Sequence, residues 1–329
     1  MHCSYCEKPA VIYRRYEGRA LCRRHFIHSF ERIVKRTIRE NHLIDRKKHI
    51  AVGLSGGKDS CALLYILHSI TKDRPNIALS AILVNEGIKG YRTEKHAKAI
   101  CKKLKVQLHI AYFKKEWGKT LDDLMNAERK RGTAGHLRLS DNTEKKSTAS
   151  DNLKACTYCG TMRRFLINKT AREIGADTVA IGHNLDDEAQ AIMANYIRGD
   201  LLRGVRLGAN AFSIEDPRFI PRIKPLREVP EKEVAVYAML KGLNADFGEC
   251  PYAEQSFRWD VRNILNDLET KYPGTKYSVL RTFDRIKPAL VATTKTSTSA
   301  GIGTCKLCGE PASKDVCKVC ELMARNKKK

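Results

Sequence analysis

The sequence of 329 residues lacks any run of roughly 18 to 20 apolar residues, the length that a membrane-spanning helix needs. It also lacks the charged and then apolar opening of a secretory signal peptide, since His2 and Cys3 follow the first methionine. Both absences predict a soluble, cytoplasmic protein that does not bind a membrane. In that compartment the twelve cysteines, many in Cys-x-x-Cys or Cys-x-x-His pairs, indicate metal ligation and not disulfides.

Acidic residues are scarce relative to basic ones. Thirty-seven Asp and Glu stand against 61 Lys and Arg, which gives a formal net charge of +24 at pH 7. A field of this sign attracts polyanions, so nucleic acid or an anionic surface is the expected partner. Hydrophobic residues make up 42% of the chain, enough for the core of one catalytic domain with small accessory modules.

Short apolar runs of strand type alternate with stretches of helical periodicity in the middle of the chain. The strand-like runs are residues 49–54, 78–84, 106–112 and 178–181. The helical patterns are residues 61–70, 94–104, 162–174 and 186–197. Strands alternating with helices predict an α/β fold with a doubly wound parallel sheet.

Two sets of four ligand-type residues stand at the ends of the chain. The first is Cys3, Cys6, Cys22 and His25, and the second is Cys305, Cys308, Cys317 and Cys320. Each set fills all four positions of a tetrahedral zinc ion, which is typical of a structural site. We therefore expect an N-terminal zinc-finger module at residues 1–30 and a C-terminal one with a basic tail at residues 303–329, flanking a catalytic domain at residues 31–292.

The segment Ser55-Gly56-Gly57-Lys58-Asp59-Ser60 follows a strand pattern and opens a helical one. Backbone amides and the positive end of the helix dipole meet at such a turn, so an anion can bind there. The spacing Gly-x-x-x-x-Gly-Lys-Ser/Thr is missing, which argues against a kinase or GTPase. The segment resembles the phosphate loop of ATP pyrophosphatases, which cleave ATP between the α and β phosphates to adenylate a substrate oxygen.

Cys156 and Cys159 stand at a predicted helix entrance beside Arg163 and Arg164, an environment that favours thiolate. With the distant Cys250 they could bind a cubane cluster and leave one iron without a protein ligand. The spacing equally fits a redox pair, with Cys250 a buried apolar residue.

Together these motifs resemble the tRNA 2-thiouridine synthetases along almost the whole chain. The matching segments are residues 55–60, Asn85-Glu-Gly-Ile-Lys-Gly-Tyr91, Cys156-Thr-Tyr-Cys-Gly160, Arg163-Arg164, Gly182-His-Asn-Leu-Asp-Asp187, Ile197-Arg-Gly-Asp200, Glu249-Cys250 and Cys317-Lys-Val-Cys320. The resemblance implies an ATP pyrophosphatase domain that uses ATP with Mg to adenylate the O2 of a tRNA uridine. Sulfide held on the unique iron of a 4Fe-4S cluster would then replace that oxygen.

The resemblance also implies roles for individual residues. The expected ATP-binding residues are Gly53, Ser55, Gly56, Gly57, Lys58, Asp59, Ser60, Arg163, Gly182 and Asp187. The expected catalytic residues are Asp59, Arg163, Asp187, Cys156, Cys159 and Cys250, and the three cysteines are the expected cluster ligands. A ubiquitin-like sulfur carrier or free sulfide is the implied donor, and a homodimer is expected as in relatives.

Four other functions remain open from the sequence. The form of residues 86–92 favours the wobble uridine at position 34, and ribothymidine at position 54 is the alternative target. A tRNA cytidine thiolase shares the loop and cluster cysteines. An ATP pyrophosphatase could use Cys156 and Cys159 as persulfide thiols without a cluster. A non-catalytic zinc RNA-binding protein fits the terminal modules and the charge, but leaves the phosphate loop unexplained.

Overall fold

The computed structural model describes residues 1–45, 47–91, 94–136, 153–210, 216–294 and 302–326. Its strands are β1 His2–Cys3, β2 Cys6–Pro9, β3 Ile12–Arg14, β4 Arg19–Leu21, β5 His49–Gly53, β6 Ala78–Asn85, β7 Gln107–Tyr112, β8 Thr178–Ile181, β9 Arg222–Ile223, β10 Gly303–Thr304 and β11 Pro311–Ala312. Its helices are α1 Arg23–Glu40, α2 Lys58–Thr71, α3 Glu94–Leu104, α4 Phe113–Trp117, α5 Leu121–His136, α6 Ala155–Glu173, α7 Leu185–Ile197, α8 Leu201–Gly204, α9 Glu231–Leu240, α10 Phe257–Lys271, α11 Thr275–Thr294 and α12 Lys318–Arg325. None of these helices is both long and apolar enough to cross a membrane.

The central sheet has five parallel strands in the order β7-β6-β5-β8-β9. The order reverses direction at β5, so successive crossovers build the sheet outward in both directions, and the predicted doubly wound α/β fold is confirmed. Both faces of β5 are covered, because Ile50 and Val52 pack in one hydrophobic cluster while Ala51 packs in another with Ile82 and Val179. Strands buried on both faces read as continuous apolar runs, which is the pattern at residues 49–54.

The N-terminal module continues directly into α1, a helix with one apolar face. Phe26, Phe30, Val34 and Ile38 follow each other at four-residue intervals and are buried. The Phe30 ring stacks on Tyr237 of α9 with 4.1 Å between ring centroids. Helix α1 crosses residue 30, and the predicted division of the chain into three domains stays a prediction.

The C-terminal module packs on α6. Cys305, Cys317, Val319 and Leu322 share a hydrophobic cluster with Tyr158 and with further buried residues of α4, α5 and α6. An ion pair of 2.6 Å between Arg172 of α6 and Glu310 adds a charged contact. The last residues of the predicted basic tail, 327–329, lie outside the described residues.

Gly182 follows β8 and lies against the start of α2. A Cβ atom there would stand 3.0 Å from the Asp59 carbonyl carbon and 3.1 Å from the Ser60 nitrogen. These are backbone atoms, which cannot move aside as the end of a side chain can. The small residue therefore lets α2 approach β8, and its expected role in ATP binding stays a prediction.

We predict that Gly182→Ala lowers the free energy of unfolding by about 1–3 kcal/mol, the usual cost of overpacking. Gly53→Ala is the matched control, because its Cβ would meet Ile181 Cγ2 at 3.5 Å, an ordinary contact. That control should change stability by less than about 1 kcal/mol. Urea unfolding measures both, and equal effects of the two variants would contradict the close-approach explanation.

Candidate nucleotide and metal sites

The phosphate loop joins β5 to α2 and is organised by its own hydroxyl groups. Gly56 adopts a φ of 81°, a left-handed conformation that favours glycine. The Ser55 backbone nitrogen donates to Ser60 Oγ at 3.2 Å, and Ser60 Oγ donates to the Gly57 carbonyl at 3.0 Å. The loop thus turns sharply into the N-terminus of α2, where an anion is favoured.

A distant strand-like segment holds this loop from the other side. The Lys58 nitrogen donates to the Asp246 carbonyl at 3.1 Å, and the Asp246 nitrogen donates to the Gly56 carbonyl at 2.9 Å. Cys250 follows Asp246 by four residues in the chain. Sequence reasoning missed Asp246, because backbone pairing of this kind leaves no residue-type signal.

Lys58 is held by two carboxylates, Asp59 Oδ2 at 3.1 Å and Glu231 Oε1 at 2.8 Å. Burial lowers the pKa of Lys58, but the two negative charges outweigh it and the net pKa is raised. The ammonium group is therefore charged at neutral pH. A bound polyphosphate would compete with these carboxylates for it.

Asp59 and Asp187 lie together at this edge of the sheet, joined through Asn184. The Asn184 amide donates to Asp59 Oδ1 at 3.0 Å, and its carbonyl oxygen accepts from the Asp187 nitrogen at 3.0 Å as the cap of α7. Burial and the Asp187 charge raise the pKa of Asp59, despite Lys58 and Asn184. Two neighbouring carboxylates of this kind are suitable ligands for Mg²⁺.

Arg258 of α10 is a residue that sequence reasoning missed. Its Nη2 donates to Asp187 Oδ1 at 2.6 Å and to the Asp187 carbonyl at 3.0 Å. Burial raises the pKa of Asp187, but the Arg258 charge and other contacts hold it below its usual range. Burial raises the pKa of Cys156, and the Arg258 charge opposes that shift without reversing it.

Arg163 lies on the cysteine side. Its Nη2 donates to Cys159 Sγ at 3.0 Å, and its Nε forms a 2.6 Å ion pair with Glu86. Among the contacts that the described residues make, none joins Arg163 to the phosphate loop. Its role beside a phosphate stays a prediction. Glu86, only 7% exposed and part of the segment after β6, is the partner that the sequence did not single out.

The three central cysteines come together from two parts of the chain. Cys156 and Cys159 occupy the first turns of α6, and Cys159 and Cys250 pack against the same hydrophobic cluster, which contains Tyr158. Ligands of a multi-iron cluster bind different irons, so they need not converge as closely as the ligands of one ion. This arrangement therefore suits a cluster.

The expectation that the surroundings of Cys156 and Cys159 favour thiolate is wrong. Burial raises the pKa of Cys156, and it raises the pKa of Cys159 to about 11 despite the Arg163 contact. Loss of solvation outweighs the neighbouring cations. Bound iron would reverse this balance, because a metal ion deprotonates a coordinating thiol.

Each terminal set has the size of a tetrahedral zinc site, and within a set all four ligand atoms lie within 4.8 Å of one another. The Sγ atoms of Cys6 and Cys22 are 3.7 Å apart, as are those of Cys308 and Cys317. Zinc–sulfur bonds of about 2.3 Å in a tetrahedron put the sulfurs about 3.8 Å apart. Both sets therefore fit the predicted zinc ions.

Comparison with known proteins supports this combination of sites. A PP-loop domain model matches residues 25–134, and a model of the N-terminal LIM domain of the 2-thiouridine synthetase TtuA matches residues 2–27. The tRNA 2-thiolation protein NcsA of Haloferax volcanii is 35% identical over 98% of each chain. The chain belongs to the tRNA 2-thiolation protein family. The predicted resemblance is thus confirmed, and relatives of this family are named sulfurtransferases, so the protein is an enzyme.

Two further members of the tRNA 2-thiolation protein family differ in their target. The tRNA-5-methyluridine(54) 2-sulfurtransferase of Pyrococcus horikoshii is 32% identical over 99% of this chain and 95% of its own. The solved structure of the U34-tRNA thiolase NcsA from Methanococcus maripaludis with its 4Fe-4S cluster is 35% identical. It covers 99% of this chain and 96% of its own, with a TM-score of 0.74.

We predict that Arg258→Gln lowers the free energy of unfolding at pH 7 by about 1 kcal/mol, a modest value because the ion pair with Asp187 is partly exposed. The lowered pKa of Asp187 stabilises the fold above its ordinary pKa, and that contribution is lost as the pH falls through the folded value. The difference between variant and wild type should therefore shrink below about pH 4.

Urea unfolding across pH measures this difference. Arg262→Gln on the same helix is the control, because its partner Glu249 is largely exposed and little change is expected. A pH-independent loss in Arg258→Gln would indicate that packing, and not the ion pair, is responsible.

Proposed function

We propose that the protein is a tRNA uridine 2-sulfurtransferase that uses ATP with Mg to activate the uridine. The observation that carries this proposal is the hydrogen-bonded group of Asp59, Asn184 and Asp187 beside the phosphate loop, in a chain whose Cys159 and Cys250 pack against one cluster with α6. Membership of the tRNA 2-thiolation protein family supports tRNA as the substrate.

In the first step the uridine O2 attacks the α phosphorus of ATP, the bond to the bridging α–β oxygen breaks, and pyrophosphate leaves. The loop amides of residues 55–60 would bind the phosphates, and Lys58 would exchange its carboxylate partners for phosphate oxygens. Asp59 and Asp187 would bind Mg²⁺ on the phosphates. Gly53, Gly182 and Arg163 would border this site.

In the second step sulfide attacks C2, the C2–O2 bond breaks, and AMP leaves with the former uridine oxygen. Cys156, Cys159 and Cys250 would hold a 4Fe-4S cluster, which supplies an iron without a protein ligand where exogenous sulfide can bind. Arg163, which donates to Cys159 Sγ at 3.0 Å, would supply positive charge beside these thiolates. The 4Fe-4S cluster of the archaeal U34-tRNA thiolase supports this assignment.

Position 34 is the proposed target, and the likeness to the U34-tRNA thiolase along nearly the whole of both chains supports it. A relative that modifies position 54 is of similar identity, so a target assay decides between them. Two structural zinc ions in the terminal sets complete the proposed cofactors. The sulfur carrier, the homodimer and the cytoplasmic location stay predictions.

We predict that Cys250→Ala loses bound iron and tRNA thiolation but keeps two zinc ions and tRNA affinity, because only the cluster is disrupted. Cys101→Ala is the matched control, since Cys101 is buried in α3 away from these sites. Anaerobic iron, sulfide and zinc analysis, with mass spectrometry of nucleosides from the tRNA, measures the outcome. Full thiolation by Cys250→Ala would reject the three-cysteine assignment.

The adenylation step has its own isotope test. A tRNA carrying ¹⁸O at C2 of the target uridine should yield AMP that contains one ¹⁸O atom for each 2-thiouridine formed. Mass spectrometry of the AMP measures the transfer. If the AMP carried no ¹⁸O and the label appeared in water instead, the uridine oxygen would not be adenylated.

A further inference from the structure

A groove runs between α1 and the beginning of α11. It has a volume of about 1160 Å³, and its wall is rich in basic and aromatic side chains. The basic ones are His28, Arg32, Lys35, Arg36, Arg39 and Arg281. Tyr272, which is 67% exposed, adds an aromatic face.

The positive charge of this groove is only partly neutralised. Its two acidic residues are engaged elsewhere, Glu31 by Lys241 at 2.9 Å and Glu17 by Arg14 at 3.4 Å. Arg36 pairs with Glu228 at 2.8 Å. Arg32, Lys35 and Arg39 have no carboxylate at ion-pair distance within the part of the chain that the structure describes.

Like charges three and four residues apart on a helix repel each other and weaken it. Helix α1 carries Arg32, Lys35 and Arg39 at such spacings on its exposed face. The stretch from His28 to Arg39 is about 16 Å long, enough to follow several phosphates of one nucleic-acid strand. A polyanion in the groove would relieve this repulsion.

The groove also leads toward the phosphate loop. A second cavity of about 530 Å³ shares Tyr16, Pro273 and Tyr277 with it and reaches Lys58. We propose that the α1–α11 groove binds the phosphate backbone of the tRNA substrate. A concave channel suits a nucleic-acid strand and not a flat membrane surface. This proposal rests on the proposed function, because it assumes a tRNA substrate.

The test compares two triple variants that remove the same charge. Arg32→Gln, Lys35→Gln and Arg39→Gln are combined in one, and Lys72→Gln, Lys102→Gln and Lys103→Gln in the other. The control lysines are exposed residues at the C-terminal ends of α2 and α3, at the opposite edge of the sheet. Fluorescence anisotropy with the tRNA at several salt concentrations measures affinity and its salt dependence.

The groove variant should bind at least tenfold more weakly near 100 mM salt, and the slope of log K against log salt should fall by about 2 to 3. The control should stay within about twofold. Equal tRNA affinities of wild type and the groove variant would overturn the proposal. A groove variant that changed its oligomeric state but kept its tRNA affinity would also overturn it. If wild type itself bound no tRNA, the proposed function would fail together with the groove.

A second inference follows from a buried network inside the Cys156-Thr-Tyr-Cys159 segment. The fully buried Tyr158 donates its hydroxyl proton to Glu128 Oε1 at 2.7 Å and accepts a hydrogen bond from Asn326 Nδ2 at 2.8 Å. Glu128, 3% exposed, also accepts from Arg131 Nη1 at 2.7 Å. Buried networks of this kind are costly to break, because each unpaired group loses its solvation.

This network connects the two metal-binding parts of the protein. Asn326 follows α12, and this helix carries two ligands of the C-terminal metal set, Cys317 as its N-cap and Cys320 in its first turn. Tyr158 stands between two of the proposed cluster ligands. We infer that metal in the C-terminal set positions the first turns of α6, and that Tyr158 and Asn326 are the positioning residues. The positioning of α6 does not depend on the proposed function. Only its effect on iron binding assumes the proposed cluster.

The sharpest test removes one zinc site at a time. Cys308→Ser should increase amide hydrogen exchange at residues 155–162 at least tenfold in iron-free protein and speed iron loss to a chelator in loaded protein. Cys6→Ser in the N-terminal set is the control and should change neither. Tyr158→Phe keeps the ring and should retain zinc, but it should also speed hydrogen exchange at residues 155–162 and iron loss. Tyr13→Phe is its control and should change neither rate.

Unchanged exchange at residues 155–162 in both Cys308→Ser and Tyr158→Phe would overturn the inference. Because this readout needs no iron, it separates the inference from the proposed function. If the two variants exchanged faster than wild type, but wild type itself bound no cluster, the positioning role would stand and the proposed cluster would be rejected.

Discussion

All five strands of the central sheet are parallel, so their carboxyl ends meet at one edge, and the candidate site depends on this constraint. Ser55 follows β5, Glu86 follows β6 by one residue, and Asn184 follows β8 at the start of α7. Residues far apart in the chain thereby become neighbours, as the hydrogen bond from Asn184 to Asp59 illustrates. Gly182 lets α2 come close enough for this contact.

The edge gathers charges of both signs, and their balance explains much of the site. Lys58 is held by Asp59 and Glu231, and Arg258 by Asp187, so each of these cations has a carboxylate partner. Cys159 remains protonated in spite of Arg163, because burial dominates. A ligand bound at such an edge would exchange one set of ionic partners for another, and the proposed cluster would release protons from the thiols as it forms.

Sequence patterns predicted the sheet well, because buried parallel strands are short continuous apolar runs and their helices have clear periodicity. The run at residues 178–181 matches β8, and residues 94–104 match α3. The start of α6 was placed too late, at residue 162 instead of Ala155, because polar residues occupy its first turns. The two zinc sets could be predicted because the four ligands of each set lie close together in the sequence.

Contacts between distant segments left no such signal. Asp246 acts through its backbone, and Arg258 and Asn326 are ordinary polar residues in helical surroundings whose partners only the fold reveals. The thiolate expectation failed for a related reason. Neighbouring arginines are visible in the sequence, whereas the burial that opposes them is a property of the packed structure.

The central claim is that three cysteines hold a four-iron cluster whose fourth iron is free to bind sulfide. Mössbauer spectroscopy of ⁵⁷Fe-reconstituted protein, before and after addition of sulfide, tests it most directly. The account predicts a four-iron cluster in which one iron site alone changes its spectrum when sulfide is added. Four irons that do not respond to sulfide, or a protein that retains zinc and no cluster, would contradict it.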